Sequence, residues 1–350
     1  MKAIIFDAPG KLALREVPEP EMAADEVLIK IDACGLCTWE QTIFAGVEPA
    51  EFPFWGGHEI AGTVIAVGPE VSPPVAIGQP VAVASLTRCG NCYYCRRGLD
   101  NHCLKAAAKP AGGRPWGPAG FAEYIAVPRY MVHPLANTQN SQAGILAEPL
   151  ACVVRAVKRA NLRNGDTAVV IGAGLMGLLF ILVARYYGAQ VIVSQPSALR
   201  RQKAVALGAD YALDPRQEEL VDFVRRHTEG YGANAVFYTA GGQQAIADGL
   251  QTLAKDGRLV VYAPIHPDDT MTININDFHY REITLTGSLM HDHQSFVAAA
   301  ELIAKGVVEL SLFNILPMPF TKMEAAMEKA RDRNIHRVML YWPDGGQTTT

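Results

Sequence analysis

The sequence lacks any unbroken apolar run of 18 residues, so it contains no candidate for a transmembrane helix. It also lacks a basic excess: 31 Lys and Arg stand against 35 Asp and Glu, which argues against a nucleic-acid partner. The opening residues, MKAIIFDAPGKLALREV, lack the apolar core and cleavage site of a signal peptide and predict a strand. Internal repeats and low-complexity segments are absent. We therefore expect a globular protein without a membrane partner, and the seven cysteines fit a reducing cytoplasm.

The 350 residues, 49% of them hydrophobic, suffice for two domains of ordinary size. Up to about residue 150, short β-type runs such as EVLIKIDACG and AGTVIAVG alternate with Gly and Pro turns, which predicts a β-barrel-like domain. From Glu148 onwards helices and strands alternate, which predicts a doubly wound parallel sheet. We assign 1–152 and 288–350 to the first domain, with a frayed end at 347–350, and 153–287 to the second.

Four cysteines follow a C-x2-C-x2-C-x7-C pattern and are the most specific signal in the chain: Cys89, Cys92, Cys95 and Cys103. Four thiolates at this spacing can close a tetrahedral shell around one zinc ion and leave no position for substrate, so the site would be structural. A disulfide cluster would need an oxidising compartment, and an iron–sulfur cluster is a second alternative. Zinc is the favoured interpretation.

The segment GAGLMG follows the apolar strand AVVI directly and precedes an apolar helix. Its glycines, Gly172, Gly174 and Gly177, fit a dinucleotide fingerprint, in which they permit a tight turn, backbone approach to a pyrophosphate and close helix packing. A glycine-rich turn without a ligand is the alternative. The predicted cofactor-binding residues also include those within the fingerprint and others at the ends of strands: Leu175, Met176, Ser194, Gln195, Arg200, Thr239, Ala263 and Ser288.

The strand after the fingerprint ends in Ser194–Gln195, where a carboxylate would hold the ribose hydroxyls of NAD. Gln195 does not repel a 2′-phosphate, and Arg200 and Arg201 follow closely. This favours NADP slightly, although an amide can bond a ribose hydroxyl, so NAD stays open. A solvated helix face is the alternative interpretation of the two arginines.

A second set of metal-capable residues lies outside the cysteine run: Cys37 in CGLCTWE, His58 and Glu59 in GGHEIAG, and Glu148 in LAEPLA. Thiolate, imidazole and carboxylate are all zinc ligands, and catalytic zinc keeps one position open. Singly, each residue could be a buried thiol, a core histidine or a solvated acid. Their presence beside a dinucleotide fingerprint and a four-cysteine lobe favours a catalytic site.

With GHE-x-x-G at 57–62, the cysteine lobe, GAGLMG and the domain order, the whole chain resembles the zinc-dependent medium-chain dehydrogenase/reductases, the alcohol dehydrogenase superfamily. EPLA within 147–151 is similar to the sorbitol and threonine dehydrogenase branch. The resemblance implies a catalytic zinc held by Cys37, His58 and Glu148, with Glu59 as a ligand or next to one. It also implies a GroES-like catalytic domain, a Rossmann domain and an active site between them.

The chain departs from the family pattern just after Cys37. The family usually has a hydroxyl residue two positions on, which relays the alcohol proton, and then an aspartate; here stand Trp39 and Glu40. Glu40 can replace the aspartate, but indole only donates hydrogen bonds and cannot accept the proton. Thr38, Thr42, Glu59 or a water at the metal are the candidate relays. The predicted substrate pocket contains Trp39, Trp55 and Trp116, with Phe44 equally compatible with the core.

We therefore expect a zinc-dependent, NAD(P)-linked oxidoreductase acting reversibly on a secondary alcohol, with a polyol, sugar or cyclitol favoured. No anion-binding pair stands near the metal residues, which disfavours phosphorylated or acidic substrates. One alternative is a zinc-free NADPH-dependent enone or quinone reductase on the same fold. The other is a non-enzymatic dinucleotide-binding protein. The strand EITLTGS could pair across a two-fold axis, so we expect a homodimer or homotetramer.

Overall fold

The computed structural model describes residues 1–106, 115–136, 140–265 and 270–343, so the frayed end predicted at 347–350 lies outside the described residues. The chain divides into two compact units, Met1–Ala151 with Asp292–Thr350, and Cys152–His291. The first unit resumes at Asp292, near the predicted return at 288. The backbone explains this, because the N–H of Ser288 still donates to Val261 O of the second unit at 3.1 Å.

The first unit contains a hairpin and a larger, mostly antiparallel sheet. Strands and helices are numbered along the whole described chain. The hairpin consists of β1 (Lys2–Ala8) and β2 (Lys11–Glu16). The sheet strands are β3 (Glu26–Leu36), β4 (Glu59–Val67), β5 (Pro80–Ala84), β6 (Tyr124–Pro128), β7 (Val132–Pro134), β14 (Ile315–Pro319) and β15 (Arg337–Tyr341). They run in the order β14-β15-β3-β4-β5-β7, with β6 also paired to β3.

Strand β3 organises this sheet because it pairs with three neighbours along its eleven residues. Its side chains alternate between buried and half-buried positions, as expected when one face covers a core. Fully buried aromatic rings fill that core, including Phe6, Phe54 and Phe121. The helices of this unit are α1 (Thr38–Phe44), α8 (His293–Ala304) and α9 (Met323–Lys329), and α2 (Ala147–Arg159) begins in it.

Short 3-10 turns complete the first unit: Cys95–Arg97, Asp100–His102, Arg129–Met131, Ser141–Leu146, Leu310–Leu312 and Phe320–Lys322. The first two of them lie inside the four-cysteine segment.

The second unit is a six-stranded sheet in which every pair is parallel. Its strands are β8 (Thr167–Ile171), β9 (Gln190–Ser194), β10 (Tyr211–Leu213), β11 (Ala233–Tyr238), β12 (Leu253–Val261) and β13 (Thr284–Gly287). Their order in the sheet is β10-β9-β8-β11-β12-β13. The chain adds β9 and β10 on one side of β8 and then crosses to its other side with β11, so the switch point lies between β8 and β11. Ligands of doubly wound sheets bind at the carboxyl ends of the strands beside such a switch point.

The helices of the second unit are α3 (Leu175–Tyr186), α4 (Ala198–Ala206), α5 (Leu220–Arg226), α6 (Gly242–Thr252) and α7 (Ile275–Arg281). All five residues of β8 are buried, which explains the unbroken apolar run that marked it in the sequence. The predicted β-rich first domain and doubly wound second domain are confirmed. No helix among the described residues is long and apolar enough to cross a membrane.

Candidate metal centres and dinucleotide loop

The four lobe cysteines meet around one point. Their sulfur atoms all lie within 4.8 Å of one another, and Cys89 Sγ is 4.0 Å from Cys95 Sγ. Four sulfurs about 2.3 Å from a tetrahedral zinc would be about 3.8 Å apart, so the spacing fits the metal. All seven cysteines carry free thiols. The structure thus brings the predicted ligand set together with room for one ion.

Backbone amides of the lobe point at these sulfurs. The N–H of Cys92 donates to Cys89 Sγ at 3.3 Å, and that of Cys89 donates to Cys103 Sγ at 3.3 Å. Backbone N–H groups of Cys95 and Leu104 lower the pKa of Cys92 to about 6. Donors at sulfur favour the thiolate, which is the form that binds metal.

A second cluster consists of Cys37, His58 and Glu59, whose ligand atoms also lie within 4.8 Å of one another. Cys37 is the N-cap of α1, immediately after β3, and Glu59 is the first residue of β4. The two strands pair, with Gly35 opposite Glu59. The end of one strand and the start of its neighbour therefore place the three side chains together.

Glu40 fixes the orientation of the His58 ring. This fully buried carboxylate accepts hydrogen bonds at Oε1 from His58 Nδ1 at 2.6 Å and from Gly57 N at 3.0 Å. Nδ1 therefore donates to this carboxylate, and Nε2 is the ring nitrogen that a metal ion can bind. Burial lowers the pKa of His58, but Glu40 and Cys37 outweigh that effect and hold it well above its usual value. The negative surroundings of the ring suit a cation.

Glu148 lies near the Nε2 atom of His58. Its Oε2 is 3.8 Å from His58 Nε2, and both side chains are about 15% exposed. The carboxylate stands in the first turn of α2, close enough to reach an ion held by the Nε2 atom. All four predicted metal residues thus lie in one place, although only three of them form the tight cluster.

Glu59 forms an ion pair with Arg337 of β15. Arg337 Nη2 lies 2.9 Å from Glu59 Oε1, and both side chains are buried. Burial raises the pKa of Glu59 to about 7, and Arg337 opposes that rise. A Cβ at Gly35 would lie 1.9 Å from Glu59 Oε2, so only glycine leaves room for this carboxylate. Arg337 was not predicted, because it stands 278 positions away in sequence and no local motif marks it.

Trp39 packs against the candidate metal cluster. Its ring lies edge-on to that of His58 at 5.5 Å and to that of Trp116 at 6.4 Å. Trp55 is buried in the core, where its indole N–H donates to Phe121 O at 3.3 Å. Phe44 packs on Phe6 at 5.4 Å. Of the three predicted pocket tryptophans, Trp39 therefore lies beside His58 and Trp116 lies beside Trp39.

Two threonines of α1 are candidates for the proton relay, Thr38 and Thr42. Thr42 Oγ1 donates to Trp39 O at 2.8 Å, so its proton is directed along α1. Thr38 is the first residue of the same helix.

The predicted dinucleotide loop joins β8 to α3. Gly172 has φ of 100°, which disfavours a side chain, and its N–H donates to Ser194 O. A Cβ at Gly177 would lie 2.0 Å from Gly172 O, so α3 packs directly on the loop. Gly174 caps α3, and Leu175 and Met176 open its first turn. Unoccupied backbone N–H groups of such a turn attract phosphate.

The other predicted cofactor residues lie at the carboxyl ends of the strands. Thr239 follows β11 and donates its hydroxyl to Ile171 O, and Ala263 follows β12. Ser288 follows β13, and its Oγ accepts from Arg155 Nη1 at 3.2 Å. Gln195 is buried, with Oε1 accepting from Ser197 N.

The end of β9 carries an ionic cluster that the sequence did not indicate. Asp214, just after β10, lies 3.2 Å from Arg201 Nη1 and 2.7 Å from Arg216 Nη2. Arg216 also donates to Pro196 O at 2.6 Å. Hydrogen bonds from Arg216 lower the pKa of Asp214 well below its usual value. A carboxylate thus does stand near the β9 terminus, on the neighbouring strand, and two arginines neutralise it.

Comparison with known proteins gives the same family over both units. The family model of the alcohol dehydrogenase GroES-like domain matches residues 23–137, and that of the zinc-binding dehydrogenases matches 176–305. L-threonine 3-dehydrogenase of Pyrococcus horikoshii is 32% identical, over 97% of this chain and 98% of its own. Sorbitol dehydrogenase of Halalkalibacterium halodurans is 30% identical, over 82% of this chain and 84% of its own.

The structural comparison agrees. The NADP-bound crystal structure of a candidate zinc-binding dehydrogenase from Sinorhizobium meliloti 1021 has a TM-score of 0.87 at 27% identity. It covers 97% of this chain and 98% of its own. The fold, the two thiol-containing clusters, the glycine loop and these matches lead to one conclusion: the chain belongs to the zinc-dependent alcohol dehydrogenase family of medium-chain, NAD(P)-linked oxidoreductases, in its sorbitol and threonine dehydrogenase-like branch.

Proposed function

We propose that this dehydrogenase oxidises a polyol or cyclitol-like secondary alcohol reversibly, at a zinc held by Cys37, His58 and Glu148, with Glu59 as a ligand or immediate neighbour. The observation that carries the proposal is the cluster of Cys37, His58 and Glu59 ligand atoms within 4.8 Å, with Glu148 3.8 Å from His58 Nε2. Thiolate, imidazole and carboxylate match the ligands of catalytic zinc. The four-cysteine lobe would hold a second, structural zinc.

When bound, zinc supplies a Lewis acid for the alcohol oxygen and the nicotinamide accepts the hydride. The residues of the chain position these groups. Glu40 holds the proton of His58 at Nδ1, which keeps Nε2 available as a ligand atom. The glycine loop after β8 offers backbone N–H groups for the pyrophosphate.

Trp39 and Trp116 would form an apolar wall for the carbon skeleton of the substrate. Sites for small molecules are mostly apolar, with a few placed polar groups, and the wall stands next to the metal cluster. Trp39 cannot accept the alcohol proton, since its indole nitrogen only donates. Thr38 remains a candidate for that relay, whereas the Thr42 hydroxyl is engaged by Trp39 O.

The substrate is tested by a panel of linear polyols, cyclitols, sugars, L-threonine and simple secondary alcohols, each assayed with NAD and with NADP. We expect the highest kcat/KM among the polyols and cyclitols. Preference for L-threonine would contradict the polyol assignment. Turnover of enones alone, by a protein without zinc, would instead indicate an enone reductase.

We also propose a preference for NADP over NAD. Gln195 leaves no unpaired carboxylate at the end of β9, and Arg201 and Arg216 neutralise Asp214. The cluster can therefore accept a 2′-phosphate, since each guanidinium has N–H groups beyond those it uses here. Arg216→Ala should weaken NADP about tenfold or more and leave NAD nearly unchanged. Equal losses for the two cofactors would refute this preference.

We propose further that the protein is a cytoplasmic homodimer or homotetramer. Strand β13 ends the parallel sheet of the second unit and has one unpaired edge among the described residues, where a second copy can pair. Free thiols in the lobe need a reducing compartment. Light scattering on the eluting protein tests the assembly, and a monomer at micromolar concentration would refute it.

A further inference from the structure

We propose that an apolar cavity in the first unit, separate from the metal clusters, binds a small amphipathic monocarboxylate through Arg129. The cavity has a volume of about 430 Å³. We name it the Arg129 cavity, and its wall includes Pro73, Arg129, Val132, Pro134, Val297 and Ala304. No cysteine or metal-cluster residue lines it. A volume of this size lies within the range of about 300–1,000 Å³ that small-molecule sites occupy.

Arg129 is held in place by backbone carbonyls rather than by an acid. Its Nε donates to Pro73 O at 2.7 Å, and its Nη1 donates to Val132 O at 2.7 Å. These two bonds fix the plane of the guanidinium and leave three of its five N–H groups. Burial lowers the pKa of Arg129, and no carboxylate of the described residues offsets that effect. The guanidinium stays charged, so its positive charge lacks a counterion within the described chain.

A buried histidine accompanies Arg129 in the wall of the cavity. His133 lines the cavity with a buried ring whose Nε2 has no hydrogen-bond partner among the described residues. Burial, followed by the charges of His293, Arg88 and Arg129, lowers the pKa of His133 to about 3. The ring is therefore neutral; burial is the main cause of the low pKa, and the nearby cationic groups add to it. An anion in the cavity would lie in a favourable field.

The rest of the wall selects a hydrocarbon body. Val297, Ala300 and Ala304 project from one face of α8, and Val132 and Pro134 face the same space from β7. One guanidinium balances one negative charge. Glu301 also lines the cavity, but its side chain is exposed and pairs with Lys305 at 3.6 Å, so its repulsion of an anion is weakened. These features fit a monocarboxylate with an alkyl or aryl group better than a phosphate.

Isothermal titration calorimetry of the zinc- and cofactor-loaded enzyme with hexanoate tests the site, with hexan-1-ol as the uncharged match. We expect saturable hexanoate binding, weaker binding of hexanol, and at least about a tenfold loss of hexanoate affinity in Arg129→Gln. Arg331→Gln removes an exposed charge from the same unit and should bind like the wild type. Ala304→Phe places a bulky ring in the cavity while Arg129 is kept, and it should abolish binding of both probes.

A carboxylate can also bind the catalytic metal, and the variants separate the two events. Binding at the metal would inhibit turnover and persist in Arg129→Gln, whereas the proposed site is lost in Arg129→Gln and Ala304→Phe with turnover retained. An isotherm that is unchanged in either variant, or the absence of heat at about 10 mM hexanoate, overturns the proposal. Should Arg129→Gln fail to fold, Ala304→Phe alone decides the question.

Discussion

At the scale of single residues, Glu40 shows that a glutamate can take the place of the family's usual aspartate and still bind His58. The family usually has an aspartate here, and the longer glutamate still places Oε1 2.6 Å from His58 Nδ1 and 3.0 Å from Gly57 N. Glu40 directly follows Trp39 in α1. The same helix therefore carries the residue that lacks the usual hydroxyl and the carboxylate that replaces the usual aspartate.

Glu40→Gln should weaken zinc binding at the Cys37–His58 cluster about 10- to 100-fold, because the ring loses its charged acceptor. Titration with a chelator while zinc release is followed measures this. The exposed Glu70→Gln is the matched control and should be unaffected. Unchanged zinc affinity in Glu40→Gln would show that Glu40 does not position His58.

Trp39→Thr should restore a hydroxyl and widen the space beside His58. We expect kcat/KM for bulkier secondary alcohols to rise about tenfold, since discrimination by apolar packing is of that order. Phe44→Leu, on the same helix but packed on Phe6, should alter thermal stability and leave the substrate profile unchanged. The same profile in Trp39→Thr as in the wild type would remove Trp39 from the pocket.

Glu148→Ala should lower kcat, because Glu148 can bind or leave the ion as ligands exchange. The hypothesis rests on the 3.8 Å between Glu148 Oε2 and His58 Nε2, which places the carboxylate near the cluster but outside it. Full turnover with intact zinc in this variant would refute it.

At the scale of elements, β15 near the carboxyl end of the described chain contacts the candidate metal cluster. Arg337 of this strand forms the buried pair with Glu59 and donates to Leu36 O at 3.3 Å. Arg337→Gln should destabilise the protein by about 3–5 kcal/mol, because a buried carboxylate would lose its partner. Thermal unfolding measures this, and Arg331→Gln should stay within about 0.5 kcal/mol of the wild type. A melting temperature unchanged in Arg337→Gln would contradict the role of the pair.

The same elements show what the sequence could predict. The apolar strand AVVI before the glycine loop and the apolar helix after it were predicted and correspond to β8 and α3, because apolar runs and flanking glycines are local signals. Helices α1 and α7 are among the helices that were not predicted, and each has only seven residues in which to show an apolar period. The candidate ligands were found from local motifs, whereas Arg337 and Asp214 form ion pairs between distant parts of the chain that no local pattern reveals.

At the scale of the whole molecule, two sulfur-containing clusters lie in one unit, and we propose different roles for them. The lobe is connected to α8, because Asp100 pairs with Arg88 at 2.6 Å and accepts from the backbone N–H of His293. Cys92→Ser should therefore lower thermal stability and loosen the lobe, as loss of structural zinc does. Proteolysis within the lobe with turnover followed in parallel measures this. A variant as stable and resistant as the wild type would argue against a structural metal there.

Zinc content per chain, measured by elemental mass spectrometry together with turnover, tests the central claim most directly. The two clusters predict about two zinc ions in the wild-type chain and about one in each of Cys37→Ser and Cys92→Ser. Turnover should vanish in Cys37→Ser and persist in the folded fraction of Cys92→Ser. A wild-type enzyme that turns over fully without zinc, or a Cys37→Ser variant that retains both ions and full activity, would contradict the account.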